Sequence, residues 1–185
     1  MCCNTKQKIA RALRQLMSER PLSKITVQDL MERAQMKRQS FYYHFQDIYD
    51  VLGWMCEQQL GAPLREDPEM DFEMWCLRLV ELMEADRSFY RRVFLAGSPG
   101  IVRDFCEGLV RPRMARLLFL VDDPRQLPRE QAFVADFCTR AITSYFIELC
   151  VSRKELDWAE VRLCLHSLLS VVRPAEELCL RVQAG

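Results

Sequence analysis

The chain has no apolar run that could matter to a membrane. Arg, Glu or Asp interrupts every hydrophobic stretch before the roughly 18 residues that a span needs. It has no charged-then-apolar leader with a small-residue cleavage site, so a cytoplasmic location is expected. Its nine cysteines include no C-x-x-C, and their odd count, scattered through apolar stretches, fits reduced core thiols rather than disulfides. Cys164 and His166 stand two apart, which on a helix turns them about 200° from each other, so no metal and no cofactor is expected. A Gly-rich phosphate loop, a G-x-S-x-G and an H-E-x-x-H are all missing, and there are two histidines; this excludes the commonest hydrolytic and nucleotide-using sites, and the chain does not read as an enzyme. Asp122–Asp123 and Glu176–Glu177, adjacent in sequence, read as solvated pairs. Nothing alternates with a period of two for long enough to build a sheet, and no repeat or low-complexity tract occurs.

What remains is helix. The 185 residues are half apolar and 28% charged, the composition of a folded globular chain. Net charge is zero, but it is unevenly placed. Residues 5–46 hold nine Lys or Arg against three acids (Glu19, Asp29, Glu32), a local balance of +6, so the remainder sums to −6. A basic N-terminal part on an otherwise acidic chain suits a nucleic-acid-binding head.

Ile9, Leu13, Leu16 and Met17 repeat on one face of a helix predicted over 5–20, with Thr5 as its cap and Pro21 as its stop. Thr26 caps a short helix with Val27, Leu30, Met31 and Ala34 inward, Gln35–Lys37 forms a turn, and a second short helix is predicted over 38–45. Phe41 and Phe45, four apart, share its inner side; Arg38, Gln39, Tyr42 and Tyr43 share its outer side. Such donors on a short helix suit the major groove of DNA. Tyr42 and Tyr43 could also form a rim of the small core, and for Tyr43 the two readings are evenly matched. Asp47 is placed to cap a fourth helix with Ile48, Val51, Leu52 and Met55 inward.

GAPLREDPEM (61–70) is the predicted break, dividing a helix-turn-helix head at 1–60 from a body at 61–185. Helices are predicted at 71–86, 87–96, 100–121, 129–153 and 157–182, with Pro112 and Pro174 expected to kink or end theirs. The fold class is therefore all-α: a three-helix head plus an antiparallel helical bundle. The helix at 129–153 is apolar on more than one face (Phe133, Phe137, Ile142, Tyr145, Phe146, Leu149), which fits either a central core helix or a two-fold interface made with 157–182. The interface is favoured, because one small head needs a partner to span two half-sites. Trp75, Phe89, Tyr90, Phe94, Phe105 and Phe119 are rich enough to line a cavity but read as plain core, so no ligand site is named.

The wording Ile25-Thr26-Val27, Leu30, Ala34, Met36 and Ser40-Phe41-Tyr42-Tyr43-His44-Phe45 resembles the head of the TetR-type transcriptional regulators, and RQSFYYHFQDIYDVL is most similar to the subgroup of the dihydroxyacetone-kinase activator. The resemblance spans about residues 5–56. It implies a homodimer on double-stranded operator DNA, with a small-molecule or protein effector acting through the body. The DNA-contacting set it implies is Lys24, Thr26, Lys37, Arg38, Gln39, Ser40, Tyr42, Tyr43 and His44. Thr26 would touch a phosphate, Lys37, Arg38, Gln39 and Tyr43 would face base edges with Ser40 beside them, and Tyr42 and His44 would meet the backbone. Family frequency points to a repressor released by a ligand; a protein-interaction regulator with an auxiliary head is the alternative.

Three positions depart from the family pattern. Gln35 stands where Gly is usual, a position that favours φ > 0 and should cost on the order of 1 kcal/mol with a side chain. Lys37 replaces a small capping residue, and Ile48 replaces a Lys that would reach a phosphate, removing roughly one unit of salt slope per monomer.

Overall fold

The structure is a computed structural model that describes residues 2–95 and 99–172. It is all-α, 81% helical, and no strand occurs among the described residues. No helix among them is long and apolar enough to cross a membrane. Two compact units divide the chain: residues 1–66 with 82–105, and residues 67–81 with 106–185.

The first unit begins with α1 (Cys2–Glu19), which runs three residues ahead of the predicted start, so Thr5 lies inside the helix and does not cap it. Ile9, Leu13, Leu16 and Met17 are all buried, as their spacing requires. Burying each of these large side chains contributes about 1.5–3 kcal/mol. α1 packs on α2 (Val27–Arg33), on α4 (Ile48–Cys56) and on α7 (Arg87–Leu95), while α3 (Arg38–Tyr42) rests on α2. α7 is held to α1 by an Arg14–Asp86 ion pair, with the Arg14 guanidinium 4.5 Å from the centre of the Phe89 ring. Tyr90, fully buried, donates its hydroxyl to Gln59 Oε1 at 3.0 Å. The compact unit thus takes in α7, far beyond residue 60, whose attachment rests on these long-range contacts.

The predicted break at 61–70 is helical in its first half. A π-turn over Glu57–Gly61 leads into α5 (Ala62–Arg65), with Pro63 following the π-turn in an unbroken helical path. A Cβ at Gly61 would collide with the Glu57 carboxylate, which is paired with Arg65. Leu60 and Leu64 are buried, so this segment adds to the core instead of linking two bodies.

In the second unit the first ten residues of α6 (Phe72–Ala85), most of α8 (Pro99–Phe119), α9 (Arg129–Val151) and α10 (Trp158–Val172) form a bundle. Along α8, Glu107 and Arg111 pair with Arg140 and Asp136 of α9, the partner number falling as the first rises. The two helices are therefore antiparallel, as expected. Close approach is possible where Ala115 meets Ala135, with Leu127 closing the end. Arg113 of α8 donates to the carbonyls of Asp67, Pro68 and Met70, fixing the turn before α6. Pro112 does not end α8: the carbonyl of Gly108 that it leaves unpaired lies at an exposed position open to water.

Trp75, Phe89, Tyr90 and Phe94 are buried core, as read. The thiols of Cys56, Cys76, Cys106 and Cys150 are buried too, and burial pushes that of Cys56 up to about 12; Cys164, by contrast, is exposed. The predicted helix 157–182 is described only to Val172, and Pro174, Glu176–Glu177 and Cys179 lie outside the described residues.

Candidate nucleic-acid interface

Thr26 starts α2 through a reciprocal cap. The Asp29 N–H donates to Thr26 Oγ1 at 3.1 Å, and the Thr26 N–H donates to Asp29 Oδ2 at 2.8 Å. The Thr26 hydroxyl donates to the same carboxylate oxygen at 2.6 Å, so a phosphate at Thr26 would have to displace that bond. Asp29 also takes Arg20 at 2.8 Å. Hydrogen bonds from the Thr26 hydroxyl and N–H, then from Arg20, hold its carboxyl down at about 2. The T-x-x-D spacing is a sequence signal for this box.

At its other end α2 closes with the Met36 N–H on the Met31 carbonyl (2.9 Å) and the Gln35 N–H on the Glu32 carbonyl (3.1 Å), the two bonds of a Schellman turn. Gln35 takes φ 55°. The left-handed residue is where the pattern places it, and a side chain there carries the expected strain. Lys37, the N-cap of α3, makes no side-chain cap, again as expected.

α3 ends at Tyr42 rather than at Phe45. Tyr43 still has helical angles, and the Phe45 N–H donates to the Phe41 carbonyl at 2.9 Å, so the helical path continues for one loose turn. The faces segregate as predicted. Phe41 and Phe45 are buried with ring centroids 6.0 Å apart, and Phe45 meets the Trp54 ring edge-on at 6.2 Å. Lys37, Arg38, Gln39, Tyr42 and Tyr43 are exposed; Ser40 and His44 are half-buried. Tyr43 takes no part in a core rim, and its ring meets His44 edge-on at 4.8 Å. Arg38 donates from Nη2 to the Tyr42 hydroxyl at 3.2 Å, with its guanidinium 5.8 Å from that ring centre. Lys24 ends a single 3-10 turn over Leu22–Lys24 and is exposed. Ile48, half-buried at the start of α4, presents no cation; that helix is capped by Asp47, which accepts from the Asp50 N–H at 2.8 Å.

Ion pairs sort the head's nine basic residues into two sets, which a count of charges could not do. Arg14 pairs with Asp86, Arg20 with Asp29, and Arg33 forks onto Glu19 at 2.7 and 2.9 Å. The Lys6 ammonium lies 5.3 Å from the Phe45 ring centre. Among the described residues, Lys8, Arg11, Lys24, Lys37 and Arg38 have no carboxylate partner, and all five are exposed. Lys8 and Arg11 were not among the candidate contacts; their polar position on α1 was the only available signal. An exposed short helix with forked donors and phenols, on a head that carries exposed cations without carboxylate partners, can meet base edges and phosphates together.

Residues 9–53 match the family described as bacterial regulatory proteins, tetR family. A curated relative, the HTH-type dhaKLM operon transcriptional activator DhaS of Lactococcus lactis subsp. lactis (strain IL1403), is 29% identical over 94 residues. That match spans about half of each protein, 49% of this chain and 49% of the relative. Among solved structures, the dihydroxyacetone kinase operon activator DhaS aligns over 91% of this chain and 97% of its own, with a TM-score of 0.64 at 20% identity. The TetR family repressor AlkX from Dietzia sp. strain DQ12-45-1b aligns over 91% of this chain and 93% of its own, with a TM-score of 0.40 at 14% identity. Residues 9–53 thus match the head of the tetR family, within an all-α fold like that of DhaS.

Proposed function

We propose that this protein binds double-stranded operator DNA as a homodimer and regulates transcription, with residues 1–60 as the reading head and 61–185 as the sensing and dimerising body. The observation that carries it is the outer face of α3: Arg38, Gln39, Tyr42 and Tyr43 exposed above a buried Phe41, with the exposed Lys37 at its start. Arg38 can fork onto a guanine and Gln39 onto an adenine, while the hydroxyls and lysines suit phosphates. For the dimer, the support is apolar surface on α9 and α10, where Phe133, Phe137, Leu163, Leu168 and Val171 are exposed. Two copies would place two heads on half-sites about one helical turn or more apart.

Selecting bound duplexes from a random pool should return a near-palindromic site, and binding to it should weaken steeply with salt. A flat, sequence-blind response would overturn the reading. Repression relieved by a ligand is the sign proposed from family frequency. The name activator carried by DhaS favours a second reading, in which operator occupancy raises transcription. A reporter behind the selected site decides, since deleting the regulator raises expression in one case and lowers it in the other. The apolar face of α9 and α10 would equally serve a different protein as partner. Sedimentation at micromolar concentration separates the two, a particle of twice 21.8 kDa supporting self-association.

A further inference from the structure

Arg38 and Tyr42 stand four apart on α3, one turn from each other on its outer face, and they are bonded. The Arg38 Nη2 donates to the Tyr42 hydroxyl at 3.2 Å, and the guanidinium carbon lies 5.8 Å from the ring centre, at the edge of cation–π range. The accepting ring is itself braced. It meets the Phe41 ring edge-on, with centroids 5.4 Å apart and planes at 89°, and Phe41 is fully buried. Direct contacts therefore run from the core of the head through Phe41 and Tyr42 to the guanidinium of Arg38. Its neighbours have no such support: among the described residues, nothing bonds the side chain of Gln39 or the hydroxyl of Tyr43.

We infer that Tyr42 is a positioning residue for base reading, its hydroxyl holding the Arg38 guanidinium in the orientation that forks onto a guanine. The inference rests on the operator-reading role proposed above for α3 and names what makes one of its contacts selective. A guanidinium carries five N–H donors, and Tyr42 takes one of them, so two parallel donors remain for the O6 and N7 of a guanine. A long side chain that is already held loses less conformational freedom when it binds. It is also less free to turn toward a phosphate, a contact that carries no sequence information. In water an exposed pair one turn apart adds little to the stability of a helix. Once DNA excludes that water, the same bond strengthens. Its consequence therefore falls on recognition and not on folding. A phenol that served only a phosphate would matter equally on every duplex; one that aims Arg38 matters only where the guanine is present.

The test uses the full chain and the duplex that it selects from a random pool. Arg38→Ala first identifies the guanine that Arg38 reads, as the position whose preference disappears. Tyr42→Phe keeps the ring and its contact with Phe41 and removes the acceptor. It should lower the preference for that guanine about two- to tenfold, the range of a single hydrogen bond. The melting temperature, the affinity for unselected duplex and the preference at the position read by Gln39 should stay as in the wild type. Beside Arg38→Ala, Tyr42→Phe should change no base preference, because the group it positions is gone. Equal losses on selected and unselected duplexes would assign the hydroxyl to a phosphate and overturn the inference. So would an unchanged guanine preference in Tyr42→Phe, a loss that persists in full beside Arg38→Ala, or an Arg38→Ala chain that keeps every base preference. A wild-type chain that selects no duplex would refute the regulator reading and this role with it, whereas a sequence-selective wild type with any of those outcomes refutes the positioning role alone.

Discussion

Two helices of this protein show pairs of aromatic rings to solvent, and the pairs differ in chemistry. On α3 they are Tyr42 and Tyr43, 54% and 77% exposed; on α9 they are Phe133 and Phe137, 70% and 66% exposed and stacked with centroids 6.5 Å apart. The phenols sit among Arg38, Gln39 and Lys37; Arg38 bonds the Tyr42 hydroxyl, and the other polar groups face solvent that a polyanion can replace. The phenyl rings have no hydroxyl to keep wet and sit beside an exposed Val134. A ring with a polar tip can remain at a surface and recognise; a bare ring there gains by being covered.

The largest effect should come from removing the base-reading donors. Arg38→Ala with Gln39→Ala should cost about 2–6 kcal/mol on the selected operator, taking about 1–3 kcal/mol for each forked contact. Non-specific duplex should change little, and anisotropy titrations that fell equally on both would refute base reading. On the inner side of the same helix, Phe41→Ala should cost about 3–5 kcal/mol of stability, against less than about 0.5 kcal/mol for Tyr43→Ala. Denaturant midpoints check this, and similar losses would deny that the two faces differ. On α9, Phe133→Glu with Phe137→Glu should turn a micromolar dimer into a monomer in sedimentation; a persistent dimer would mean these rings are not the covered face.

Smaller effects sharpen the head. Gln35→Gly should stabilise it by up to about 1 kcal/mol, because glycine takes φ 55° without strain. A lower thermal midpoint would show that the Gln35 side chain compensates. Asp29 is held at about 2, below its ordinary 3.8, so its contribution is complete above pH 3.8 and is lost as pH falls through about 2. Asp29→Asn should flatten that acid limb in a pH series of melts; an unchanged limb would assign it to other carboxylates.

Much of the head could be read along the chain because its signals are local. A capping Thr three residues before Asp, two Phe four apart and a turn residue needing φ > 0 each act within one or two helical turns. The errors in the head are errors of helix ends, Thr5 and residues 43–45, where fraying and capping compete within fractions of a kcal/mol. The segment at 57–65 was missed for a different reason. Gly61 and Pro63 look like a break, yet Leu60 and Leu64 find buried places that only the assembled unit provides.

The all-α class, the two faces of α3 and the strained turn at Gln35 were legible along the chain, since helical periodicity and backbone sterics operate between near neighbours. Tertiary structure decided which of the nine basic residues remain unpaired, because Arg14, Arg20 and Arg33 are neutralised by acids 72, 9 and 14 positions away. It also decided that α7 packs with the head and that α6, α8, α9 and α10 line an open groove with no charged side chain among the described residues. Ion pairing and groove shape depend on which side chains meet across the fold, and no spacing along one chain states that.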